Sequence, residues 1–117
     1  MKINDYIKQS FKNKREYYLF NQIPVQIKDS FSNEIDIDHV LKKIESIPRH
    51  LFYNVELLLI GDFEMFDKMQ TNAAYDSGAI YISNNQTDED DMIDDIVHEL
   101  AHAVEQEYED LIYGDGL

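Results

Sequence analysis

The chain has 117 residues, 44% of them hydrophobic, with 10 basic and 24 acidic side chains for a formal net charge of −14, and it contains no cysteine. One domain spanning residues 1–117 is expected from that length, and the charge disfavours nucleic acid or an anionic membrane surface as a partner. Disulfides and thiolate metal sites are excluded, which leaves His, Asp and Glu as the residues able to ligate a metal.

The opening Met1-Lys2-Ile3-Asn4-Asp5-Tyr6 carries charge where a signal peptide needs an apolar run, and no stretch is long enough to span a bilayer; a soluble, cytoplasmic protein is expected. The abundance of Ile, Asn, Lys, Tyr and Asp suits an AT-rich genome, such as that of a phage or a low-GC bacterium. Residues 4–18 mix apolar and basic side chains at helical spacing, and residues 23–27 alternate like a short strand. Residues 36–47 read as a helix that stops near Pro48. His39 within it and His50 just after it have no spaced partner, so both are read as surface or boundary residues.

Residues 54–60 are apolar and compact, suit a buried central strand, and are closed by Gly61-Asp62. One or two helical turns follow over 63–69. The turn signal Asp76-Ser77-Gly78 then introduces the strand Ala79-Ile80-Tyr81-Ile82-Ser83, read as an edge strand, and a polar link leads into a last helix over 87–112. The expected class is α+β, a small mixed sheet with helices packed on it.

In the last helix Ile93, Ile96, Val97, Leu100, Val104, Tyr108 and Leu111 recur at steps of three and four, the spacing of a core-facing stripe. Thr87 is the expected N-cap with Asp90 at the capping-box position, and the acids at 88–91 favour the positive end of the helix dipole. An EF-hand calcium loop would need a glycine at its sixth position and a glutamate at its twelfth, and neither pattern is present.

The same helix carries His98-Glu99-Leu100-Ala101-His102, with His98 and His102 on the side away from the stripe and Glu99 on a third sector. Two histidines four residues apart sit about 6 Å apart along the axis and roughly 40° around it, so both rings can reach one cation. Zinc accepts imidazole nitrogen and in catalytic sites keeps one position for water. Glu99 stands beside the pair, placed to take a proton from that water. His98 and His102 are therefore the candidate metal ligands for one Zn2+ ion, and Glu99 is the candidate catalytic base.

This pentapeptide and the strand before it, from Ala73 through Tyr108, resemble the zincin metallopeptidases, whose upper subdomain carries a twisted sheet, an edge strand and an active-site helix bearing HExxH. The resemblance implies a zinc peptidase in which Glu99 is general base and a peptide or protein substrate pairs with the edge strand, here Ala79–Ser83. The metzincin subclass does not fit, because Glu105 and Tyr108 stand where its glycine and third histidine belong. In gluzincin-like members the third ligand is a glutamate on a later helix, further past the second histidine than this sequence extends. Glu105 and Glu109 share the histidine side, yet three turns of one straight helix spread ligands over about 10 Å. Asp115 is a lesser candidate.

The expectation is thus an N-terminal zinc-site half of a gluzincin-like domain whose third ligand lies beyond Leu117 or on another chain. Asp94, Asp95 and Glu105 are near enough to support the histidine rings from behind. Two alternatives stand beside the peptidase: a zincin-shaped binding module without turnover, and an acidic structural protein with a chance HExxH.

Overall fold

The computed structural model describes residues 16–113, with side chains through residue 106. Five strands form one mixed sheet: β1 (Tyr17–Leu19), β2 (Ile23–Ile27), β3 (Leu57–Gly61), β4 (Ala73–Asp76) and β5 (Ala79–Ser83). Among the described residues three helices accompany them: α1 (Ile37–Ile44), α2 (Glu64–Met69) and α3 (Glu89–Tyr113), with a 3-10 turn at Arg49–Phe52. The strand order is β1-β2-β3-β5-β4. β2, β3 and β5 run parallel, and β1 and β4 close the two sides antiparallel. The α+β class follows as expected, and the strand expected over 54–60 is central, although it begins at Leu57 and takes in Gly61.

Alternation places Leu58, Ile60, Ile80 and Ile82 on one face of the sheet, where all four are buried. This face receives Val40, Leu41 and Ile44 of α1 and Met92, Ile96 and Leu100 of α3, which join one hydrophobic cluster with the strand residues. Fully burying each such aliphatic side chain contributes about 1.5–3 kcal/mol before entropy is counted. The opposite face is covered more thinly, by Phe63 and Phe66 at α2. The Phe63 ring meets Tyr81 edge-on at 5.3 Å.

Residue 36 caps α1 rather than joining it. The Asp36 carboxylate accepts from the backbone N–H of Asp38 at 3.0 Å and of His39 at 3.4 Å, satisfying two donors that the first turn leaves without partners. Glu89, at the start of α3, reaches across to the same place. Its carboxylate accepts from the Asp36 backbone N–H at 3.1 Å and pairs with His39 Nδ1. The N-termini of α1 and α3 are thereby stitched together. His39 is otherwise exposed, as is His50, in keeping with surface placement for both.

Four expectations are corrected. Ala79–Ser83 is a strand but not an edge: β3 pairs with one side of it and β4 with the other. The edge strand on this side of the sheet is Ala73–Asp76, which pairs with β5 through a Ser77-Gly78 turn whose two residues have φ of 51° and 90°. That is the type I′ geometry preferred in two-residue hairpins, and glycine meets its second position without strain. Residues 17 and 18, read as the end of a helix, lie in β1; residues 4–15 of that expectation fall outside the described residues.

The cap of α3 is Asp88, not Thr87, since Asp88 accepts from the Asp91 backbone N–H at 2.9 Å. A carboxylate one residue later competes successfully with the threonine hydroxyl at the positive helix end. The buried stripe of α3 is also rotated, running through Met92, Ile96, Leu100 and Ala103 and leaving Val97 41% exposed. Val97 lies about 120° from the centre of that stripe. Ile93 and Val104 are half-buried, while the Tyr108 and Leu111 side chains fall outside the described residues.

Candidate metal centre

Helix α3 leaves the end of β5 and runs back across the sheet, packed on β4 and β5 and against α1. One flank, with Glu89 and Ile93, meets α1. The other flank carries Asp95, His98, Glu99, His102 and Gln106. Because α1 packs at the β1 end of the sheet and β4 forms the other end, this second flank faces the β4 side of the sheet. Helical phase thus turns the two histidines toward that side of α3.

His98 and His102 are both exposed, and their Nε2 atoms lie 3.3 Å apart. The rings meet nearly perpendicular, at 87°, with centroids 4.8 Å apart. Two nitrogens on a tetrahedral zinc at 2.0–2.1 Å are separated by about 3.3–3.4 Å, so the pair already has the bite of two zinc ligands. Glu99 completes the group: one ligand atom from each of His98, Glu99 and His102 lies within 4.8 Å of the others. The three residues could hold a metal ion.

Glu99 differs from the histidines in its surroundings. It is only 6% exposed, because its position is about 40° from the centre of the core stripe, closer to the packed side than the sequence reading placed it. Burial pushes its carboxyl above the ordinary 4.5; His102 and then His98 oppose that shift, and Asp95 adds to it. No hydrogen bond to this carboxylate is found among the described residues, and no fully buried side-chain oxygen among them lacks a partner. The Glu99 oxygens therefore keep a narrow contact with solvent at the bottom of the site. A desolvated, unbonded carboxylate facing two imidazoles is poised to accept a proton from whatever water lies between them.

Of the three carboxylates considered as supports, Glu105 is the one brought to a histidine. Its Oε2 lies 3.6 Å from His102 Nδ1, the nitrogen turned away from the paired Nε2 atoms, where a carboxylate favours the tautomer that leaves Nε2 free to ligate. It is not a third ligand. Asp95 is engaged instead by Gln86, whose amide donates to its Oδ2 at 3.0 Å. Asp115, the Glu109 side chain and the Tyr108 and Tyr113 side chains fall outside the described residues. Tyr75 donates its hydroxyl to Asn54 O at 3.2 Å, and the Tyr81 ring packs on Phe63.

Sequence reasoning missed β4, the element nearest the histidine flank. Its Ala-Ala-Tyr-Asp composition has little strand preference, and the usable signal was the Ser77-Gly78 pair, which demands a strand on each side. No protein-family model, curated protein or solved structure matches this chain. No helix among the described residues is long and apolar enough to cross a membrane.

Proposed function

We propose that the protein is a zinc-dependent peptidase of zincin type, with His98 and His102 as metal ligands and Glu99 as general base. The observation that carries this reading is the 3.3 Å separation of the two Nε2 atoms above a buried carboxylate. When bound, zinc supplies a Lewis acid for the scissile carbonyl and lowers the pKa of a bound water to about 7. Glu99 would take a proton from the attacking water at a carboxylate oxygen as the water oxygen bonds to the scissile carbonyl carbon, and would pass that proton to the amine nitrogen as the C–N bond breaks, with no covalent enzyme intermediate.

The outward side of β4 supports the same reading. An extended peptide can add to this edge through backbone hydrogen bonds, and the histidine flank of α3 runs alongside it. The strand is short, four residues, and so offers one or two backbone pairings. Substrate recognition then rests mainly on side-chain sites near the ends of β4.

A second reading has its own observation behind it. Among the described residues the group contains two histidines and one carboxylate, and a Glu99 that ligates the metal is no longer free to act as base. The chain would then be a metal-holding binding module without turnover.

Both readings are tested by loading the protein with one equivalent of zinc and assaying a mixed peptide library alongside Glu99→Gln. The peptidase reading expects cleavage by the native protein, loss of about 10²–10⁴-fold in Glu99→Gln, and unchanged zinc content. A variant that loses its zinc, from a native protein that cleaves nothing, selects the binding module.

A further inference from the structure

At the hairpin end of β4 a cavity of about 530 Å³ opens between Tyr53, Glu56, Tyr75, the Ser77 and Gly78 turn, and Gln106. Tyr75 belongs to β4, and Gln106 lies on α3 one turn past His102, on the same flank as the histidines. The cavity therefore lies past the histidines along α3, on the β4 side. No basic residue lines it among the described residues.

Its charge comes from Glu56, whose carboxylate has no counter-ion among the described residues. The position of Glu56 is defined. Its backbone N–H donates to Gly78 O at 2.7 Å, and its side chain lies across Gly78, where an added Cβ would come within 3.2 Å of Oε2. Tyr53, 76% exposed, lines the same cavity. A cavity lined by both a carboxylate and an aromatic ring is suited to an ammonium or guanidinium group.

Position gives the register. A metal shared by His98 and His102 would sit level with position 100, six residues and about 9 Å along the helix axis from Gln106, and an extended peptide advances about 3.3 Å per residue. A side chain entering the cavity thus belongs to the third residue from the bond held at the histidines. We infer that this cavity is a subsite for a lysine or arginine side chain three residues from the scissile bond. The inference rests on the peptidase reading for its register, while the cavity and its charge stand independently of it.

The test uses labelled peptides of one sequence that differ only in carrying Lys, Gln or Glu three residues to either side of a common cleavage site. With zinc-loaded protein, the Lys peptide is expected to be cleaved about fivefold more efficiently in kcat/KM than the Gln peptide, the size of one partly exposed ion pair. Glu56→Gln should erase that ratio, so that the Lys and Gln peptides are cleaved with equal kcat/KM. Glu34→Gln, which removes one exposed acid elsewhere, should preserve it.

Fluorescence anisotropy with the same peptides and metal-free protein gives a second readout that needs no turnover. Cleavage without a Lys preference, or a preference that survives Glu56→Gln, overturns the subsite and leaves the peptidase standing. Binding with a Lys preference that depends on Glu56, but no cleavage of any peptide, overturns the peptidase and leaves the cation site. Failure of both binding and cleavage overturns both.

Discussion

His98 and His102 present Nε2 to Nε2 at 3.3 Å although both rings are exposed and neither is held there by the core. One supporting contact comes from behind, from Glu105 to His102 Nδ1 at 3.6 Å. One zinc per chain is the expected stoichiometry by elemental analysis. His98→Ala and His102→Ala should each cost more affinity than the roughly 10–100-fold typical for loss of a well-packed supporting residue. Glu105→Gln should cost only about threefold, because its contact is long and solvated. Equal affinity of all three variants in a competitive zinc titration would remove the site.

Glu99 makes a prediction that concerns the metal-free fold. Burial raises its carboxyl pKa above the ordinary 4.5, so the folded state prefers the protonated form. Its relative stabilisation is complete below pH 4.5 and is lost as pH rises through the higher folded value. Replacing the carboxylate by an amide removes that loss. Glu99→Gln should therefore raise Tm relative to the native protein at pH 7 and change it little at pH 4. A larger gain at pH 4 than at pH 7 would contradict the burial of this group.

How much of this was legible without coordinates differs by element. The HExxH spacing and the apolar 54–60 strand were readable because each depends on local periodicity, which the backbone obeys directly. The burial of Glu99 and the exposure of Val97 were not: both depend on how far α3 rolls on the sheet, which is decided by its contacts with the sheet and with α1, far away in sequence. The edge assignment failed for a related reason. Ala79–Ser83 has the composition of a fully paired strand, whereas Ala73–Asp76 betrays itself only through the turn that joins them.

The link between Glu89 and His39 also carries a pH signature. Glu89 titrates below the ordinary 4.5, first because of its hydrogen bond with His39 and then because it accepts from the Asp36 backbone. A lowered carboxylate contributes stability that is fully present above the ordinary value and is lost as pH falls through the lowered one. Glu89→Gln should leave a protein whose stability declines less between pH 5 and pH 3 than that of the native chain. Thermal denaturation across that range checks it, and an identical acid limb in both proteins would deny the stitch between α1 and α3.

Gly61, the last residue of β3, is set against the end of β2 so closely that a Cβ would lie 2.9 Å from Lys28 Cβ and 3.0 Å from Asp29 Oδ2. Neither neighbour is the free tip of a long side chain. Asp29 is also committed, accepting from the Asp62 backbone N–H at 2.8 Å and from Lys28 Nζ at 2.9 Å, which holds its carboxyl below the ordinary range. Gly61→Ala must push β2 and β3 apart where the parallel pairing ends. A cost of about 1–3 kcal/mol is expected, the range of an overpacked core position. Because Gly61 pairs with Ser83 at the end of β5, just before the link to α3, the same variant should lower zinc affinity if the displacement reaches the histidine helix. Urea denaturation measures the first effect and zinc titration the second; a variant as stable as the native protein would show that the close approach of β2 and β3 is wrong.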